Sequence, residues 1–195
     1  MTYRYILIVN YHKRIIDKSF EFFYKLHKDQ KYNDNEPYWP HLYRVGVLVK
    51  NILTINKEAR KKEIKILTIA GFGHDCLEDT NVSLSEIKKQ FGKEVADIIF
   101  AITNEEDDKH TTEYIKKICG SSEEVRLLKL ADICDNFTRM IHRPENPQYL
   151  KNKILPIIEP MHQAIIKTKF KKYHKSSKQL IELSNLLLKN VYEIL

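Results

Sequence analysis

The chain has 195 residues, of which 43% are hydrophobic, 30% charged and 10% aromatic, with 5 Gly, 6 Pro and a formal net charge of +7. That length suits one domain with a core large enough to fold without disulfides, and the composition excludes collagen-like, low-complexity and wholly disordered chains. No apolar run approaches the ~18 residues of a membrane-spanning helix, and Tyr5 to Val9 is too short for a signal core, so a cytoplasmic protein without a membrane partner is expected.

The basic excess favours anionic partners. Its residues are scattered, however, and Arg60-Lys61-Lys62 is flanked by Glu58 and Glu63 as on a solvated helix face. No nucleic-acid-binding signature is present, and nucleic acid is not expected as a partner. Cys76, Cys119 and Cys134 form no CxxC pair and read as core thiols.

Helical periodicity runs through most of the chain. From Tyr11 to about Gln30, Ile16, Phe20, Phe23 and Leu26 recur at three- and four-residue steps, and Lys31 to Pro40 reads as a loop. Helices are predicted over 41–53 and 59–75. Ser83 and Glu86 form a capping box that opens a short helix closed by Gly92. Further helices are predicted over 93–103 and 121–141. Another spans 148–172, kinked or split at Pro156 and Pro160, and the last spans 176–195. In that last helix the stripe Leu180, Leu183, Leu187, Val191 suits core packing or a homodimer face. The strand candidate is residues 4–9, and one strand makes no sheet. The expectation is an all-α single domain, with a motif-bearing core over about 11–160.

Chemistry concentrates in His74-Asp75-Cys76-Leu77-Glu78-Asp79-Thr80. Adjacent His and Asp can both ligate a divalent ion, and on a continued helix Glu78 and Asp79 rise over the same face four residues later. Asp132 lies inside the apolar run Leu128 to Ile133, where an unpaired carboxylate is costly to bury. His41 follows Glu36-Pro37-Tyr38-Trp39-Pro40. A metal shared by His41, His74, Asp75 and Asp132 would account for all four and leave positions open for water and substrate.

This H…HD…D pattern resembles the HD-domain phosphohydrolases, and its surroundings are similar to the RelA/SpoT-type alarmone hydrolases. Glu36 to His41 resembles their EPYxxH, His74 to Thr80 their HDxxEDT, and Lys129 to Asp132 with Asn136 their KLADxxxN; His27 and Gln30 match a preceding H..Q. The resemblance implies an HD-type bundle of about eight to ten helices and a stand-alone small alarmone hydrolase. It implies one divalent metal, Mn2+, and release of pyrophosphate from guanosine 3′,5′-bis(diphosphate) by a metal-activated water. Carried over, His41, His74, Asp75 and Asp132 hold the metal, Glu78 and Asp79 handle the water, and Lys129 and Asn136 serve the substrate.

The chain departs from that pattern beside the motifs. Where the family reads R-K-S-G, this sequence has Tyr32-Asn33-Asp34-Asn35; Tyr32 offers a ring to stack on a purine, and Lys31 one nearby charge. Where it reads R-L-H-N-x-R, the chain has Ile133-Cys134-Asp135-Asn136-Phe137-Thr138, followed by Arg139. These losses keep two alternatives open: hydrolysis of another phosphorylated nucleotide, such as an adenine alarmone or NADPH, and a non-catalytic nucleotide-binding module.

Overall fold

Apolar residues at helical spacing bury themselves by packing helix on helix, and the backbone follows that pattern. A computed structural model describes residues 18–33, 36–104, 112–142 and 146–195. The candidate strand at 4–9 and the first turns of the helix expected from Tyr11 lie outside the described residues. Helix α1 (Lys18–His27) sets Phe20 and Phe23 fully into the core. The segment read as a plain loop contains two short antiparallel strands, β1 (Lys31–Asn33) and β2 (Glu36–Pro37). Strands of two and three residues are too short to show alternation, so no sequence period marks them.

Helix α2 (Trp39–Asn56) begins two residues before the predicted start and carries Pro40 in its first turn, where a missing N–H costs nothing. Helix α3 (Lys61–Phe72) stops short of its predicted end, so His74 and Asp75 stand in the turn before the short α4 (Cys76–Asp79). In α5 (Leu84–Phe91) the capping box is formed as expected: Ser83 Oγ accepts from the Glu86 N–H at 3.3 Å, and Glu86 Oε2 accepts from the Ser83 N–H at 2.8 Å. Gly92 takes a φ of 90° between α5 and α6 (Lys93–Ile102).

No element was expected at α7 (Thr112–Gly120), which precedes the long α8 (Glu123–His142). The helix predicted from Gln148 begins as α9 (Pro147–Tyr149), widens into a π-helical turn (Leu150–Ile154) and continues as α10 (Leu155–Ile165). Pro156 accounts for the widening: it lacks an N–H, and its ring presses on the carbonyl one turn back. Helix α11 (His174–Glu193) closes the chain, and of its Leu stripe Leu180 and Val191 are buried while Leu183 is exposed.

Among the described residues the architecture is all-helical apart from the small β1–β2 pair. Helix α2 packs against α3 and α8, and α8 packs against α11. The α2–α3 crossing is tight because it is made glycine to glycine. A Cβ on Gly46 would lie 2.3 Å from the Phe72 ring and 2.9 Å from the Thr68 carbonyl, and one on Gly71 would lie 2.7 Å from the Gly46 Cα. Close approach at this point brings the start of α2 up to the turn after α3. Among the described residues no helix is long and apolar enough to cross a membrane.

Candidate functional site

Three segments meet at one end of that crossing: the first turn of α2, the α3–α4 turn and the middle of α8. His41 Nε2 lies 3.2 Å from His74 Nε2, 3.6 Å from Asp75 Oδ2 and 3.2 Å from Asp132 Oδ1. His74 Nε2 lies 2.9 Å from Asp75 Oδ2 and 3.6 Å from Asp132 Oδ1. Of the four residues that the sequence singled out as ligands, His41, His74 and Asp75 bring one atom each to a common centre, and Asp132 Oδ1 stands beside it within 3.6 Å of both imidazoles. His41, His74 and Asp132 are buried there, and Asp75 is nearly so.

The far side of each imidazole decides what the near side offers. His41 Nδ1 lies 2.8 Å from Asp135 Oδ2, and His74 Nδ1 lies 2.9 Å from the Gly71 carbonyl oxygen. Both partners are acceptors, so each ring keeps a proton on Nδ1 and turns Nε2 toward the centre, the usual arrangement of a metal-ligating histidine. Two Nε2 lone pairs 3.2 Å apart, beside two carboxylates, need a cation between them. The donor set thus fits a divalent ion: two imidazole nitrogens and two carboxylate oxygens, with the second shell already in place.

The electrostatics agree. Burial pushes the His74 imidazole down, but the Asp75 charge and its hydrogen bonds with Asp132 and Asp75 outweigh it and lift the ring to about 9. His41 is likewise opposed by burial, yet Tyr32 and hydrogen bonds with Asp132, Asp135 and Asp75 hold it well above its ordinary value. Burial raises Asp75 and Asp132; His74 and His41 overcome this at Asp75, and Lys129 with the two histidines at Asp132, so both carboxyls stay far below the usual range. A cluster that pulls protons onto its histidines is one that a metal ion can occupy in their place.

Around the centre the carboxylates are anchored. Tyr38 donates its hydroxyl to Asp75 Oδ2 at 2.6 Å. Asp132 receives Lys129 Nζ on Oδ2 at 2.9 Å and the Asn136 amide on Oδ1 at 2.7 Å. Lys129 and Asn136, expected to serve the substrate, both border the cavity and both bond Asp132. The H..Q pair forms a brace: His27 Nδ1 is 2.7 Å from Gln30 Oε1, and Gln30 Nε2 donates to the Asp79 carbonyl at 2.6 Å. This brace ties α1 to the end of α4.

A cavity open to solvent leads to the cluster. Glu78 lines it, one carboxylate oxygen accepting from the Asn104 N–H at 2.8 Å, whereas Asp79 is exposed and does not line it. Tyr32 lines it too, with its ring already engaged by the Arg139 guanidinium 4.0 Å away and the Tyr38 ring 4.7 Å away. Lys31 is exposed on β1 and is not among the lining residues. Apolar side chains line it as well: Ile157, Ile158 and Met161 from α10, which form an apolar wall, and Ile133 from α8.

Three contributions escaped the sequence reading. Asp135 bonds His41, and Arg44 donates to it twice, from Nε at 2.6 Å and from Nη2 at 2.9 Å. Their spacing carries the signal: each stands three residues beyond a ligand, on the same helix face. Tyr38 was read only as part of a motif. The wall from α10 carries no spacing signal linking it to the motifs.

The chain matches a family model described as HD domain over residues 19–162. It is 31% identical over 157 residues to the guanosine-3′,5′-bis(diphosphate) 3′-pyrophosphohydrolase of Aquifex aeolicus, covering 77% of this chain and 21% of that protein. It is 28% identical over 115 residues to the guanosine-3′,5′-bis(diphosphate) 3′-pyrophosphohydrolase MESH1 of Drosophila melanogaster, covering 56% of this chain and 60% of that one. The chain thus spans about a fifth of the bacterial relative's length. Its fold is similar to the solved structure of a metazoan ortholog of SpoT that hydrolyzes ppGpp, with a TM-score of 0.62 at 21% identity, covering 85% of this chain and 92% of that one. The family match runs from α1 through α10 and includes every residue of the cluster, so the chain belongs to the HD-domain family.

Proposed function

We propose that this protein is a metal-dependent hydrolase, a single HD-type domain acting in the cytoplasm. Its substrate is guanosine 3′,5′-bis(diphosphate) or the pentaphosphate, from which it releases pyrophosphate and leaves GDP or GTP. The observation that carries the reading is the gathering of His41, His74, Asp75 and Asp132 around one centre beside the carboxylate of Glu78, at the end of an open cavity. The names of the Aquifex and Drosophila relatives support the choice of substrate.

A divalent ion held by those four residues, Mn2+ in our reading, would supply an acidified water and polarise a phosphoryl oxygen. The chain's own groups do the rest. Glu78, fixed by the Asn104 N–H, is the base that takes the proton of the attacking water. Asp79, outside the cavity, contributes its backbone carbonyl to the Gln30 brace. Lys129 balances Asp132 and offers charge to the leaving pyrophosphate, and Asn136 keeps Asp132 oriented.

A second reading, hydrolysis of another phosphorylated nucleotide, is favoured by one observation. Tyr32, which replaces a basic residue of the family's loop, has its ring taken up by Arg139 and Tyr38 rather than open to a purine. Purified protein with Mn2+ and guanosine 3′,5′-bis(diphosphate), followed by anion-exchange chromatography, separates the two. GDP and pyrophosphate are the expected products. A protein that binds Mn2+ but leaves this nucleotide intact, or turns over the adenine analogue equally fast, overturns the guanine reading.

A further inference from the structure

Four side chains from two helices form a row in which carboxylates alternate with nitrogen bases. On α2, His41 and Arg44 are three residues apart; on α8, Asp132 and Asp135 are three residues apart, so each pair occupies one face. Read across the helices, the order is Asp132, His41, Asp135, Arg44, with gaps of 3.2 Å, 2.8 Å and 2.6 Å. We propose that Asp135 and Arg44 together are the positioning pair that locks His41 into its metal-binding tautomer, an inference that rests on the metal reading of the cluster.

Asp135 takes the His41 Nδ1 proton on Oδ2, and Arg44 donates to both of its oxygens, Nε to Oδ1 and Nη2 to Oδ2. Arg44 has no acceptor, so it can be satisfied here only by turning carboxylate oxygens toward itself, which also aims Oδ2 at His41. The acceptor at Nδ1 keeps that nitrogen protonated and leaves the Nε2 lone pair facing His74, Asp75 and Asp132. Were the proton on Nε2 instead, it would occupy the space where the ion belongs.

Asp135→Asn isolates this role, because an amide has one acceptor oxygen and one donor nitrogen. The single oxygen can no longer face Arg44 Nε and His41 Nδ1 at once; when it turns to Nε, the NH2 group lies against His41 Nδ1 and the imidazole takes the wrong tautomer. Removing Arg44 as well frees the amide to turn its oxygen back toward His41. Binding of Mn2+ alone, measured by the electron paramagnetic resonance of the free ion, should therefore weaken by about 10- to 100-fold in Asp135→Asn. In the double variant Asp135→Asn/Arg44→Met it should recover by about fivefold or more, a coupling that independent structural losses would not show.

Arg44 is 45% exposed, so Arg44→Met is a folded control even where Asp135→Asn is not, and it should bind Mn2+ several-fold more weakly than the wild type. Wild-type affinity in Asp135→Asn or in Arg44→Met overturns the proposal, as does a double variant weaker than Asp135→Asn. A wild-type protein that binds no Mn2+ overturns the metal reading beneath it. Because the readout is the ion and not turnover, neither result depends on which nucleotide is the substrate.

Discussion

Asp132 receives four partners: Lys129 on one oxygen, Asn136 and both imidazoles around the other. Replacing it with Asn keeps the volume and much of the hydrogen bonding but removes the charge that a divalent ion needs. Asp132→Asn should lose Mn2+ binding and at least about a hundredfold in turnover, equivalent to the few kcal/mol a metal supplies to a transition state. Circular dichroism should stay helical. A variant with wild-type activity would remove Asp132 from the ligand set. At this scale the four residues of the cluster were legible in the sequence because each lies in a motif or breaks an apolar pattern. Asp135 was not, since its meaning depends on His41 and Arg44 lying opposite it across a helix interface. It registered only as a lost basic residue. Tyr32 was legible as a cavity residue, but its contact with Arg139 joins positions over a hundred residues apart and has no local signature.

Loops between helices are held by carboxylates that reach across elements. Glu123, at the start of α8, accepts from the N–H groups of Lys171, Lys172 and Tyr173 at 2.8, 2.9 and 3.1 Å. Glu58 accepts from the N–H groups of Lys175 and Ser176 at 2.6 and 2.7 Å as α11 begins. Lys172 then bridges Glu63 on α3 and Glu124 on α8 at 2.8 and 2.9 Å. Hydrogen bonds from Lys172 and Arg60 hold the Glu63 carboxyl down to about 2 against an ordinary 4.5. Since the folded value lies below the unfolded one, this stabilisation is complete above about pH 4.5 and is lost as the pH falls toward 2. Lys172 is partly exposed, and screening limits the gain to about 1 kcal/mol or less, or roughly 2–4 °C in a domain of this size. Lys172→Met should therefore melt a few degrees lower at pH 7, with the gap closing in an acid titration; a constant gap would exclude the clasp. The same contacts explain why the helix predicted to Lys172 ends at Ile165. Its last residues find their hydrogen bonds on Glu123, a partner that periodicity does not reveal. Helix α7 was missed for a related reason: it is short, and its buried residues are only Tyr114 and Ile118.

Across the whole molecule, the ligands come from three separate segments, so an ion bound there cross-links α2, the α3–α4 turn and α8. Binding that is selective for the folded chain adds to its stability by mass action, about 2.7 kcal/mol at a hundredfold excess over Kd. Thermal melts with Mn2+ should shift upward by several degrees and return on adding chelator; no shift would mean that no ion bridges these segments. The all-helical class was legible from apolar spacing alone. The shape of the cavity was not, because its apolar wall belongs to α10, beyond a π-helical turn that only Pro156 foreshadows. Within Leu150–Ile154 the helix seats more residues in one turn than its α-helical neighbours do. Removing one residue from it lets the turn close as an ordinary α-turn with Ile157, Ile158 and Met161 kept on their face, whereas a deletion within the regular helix that follows carries the residues beyond it about 100° around the axis. A spare residue is thus stored in the helix just ahead of the cavity wall.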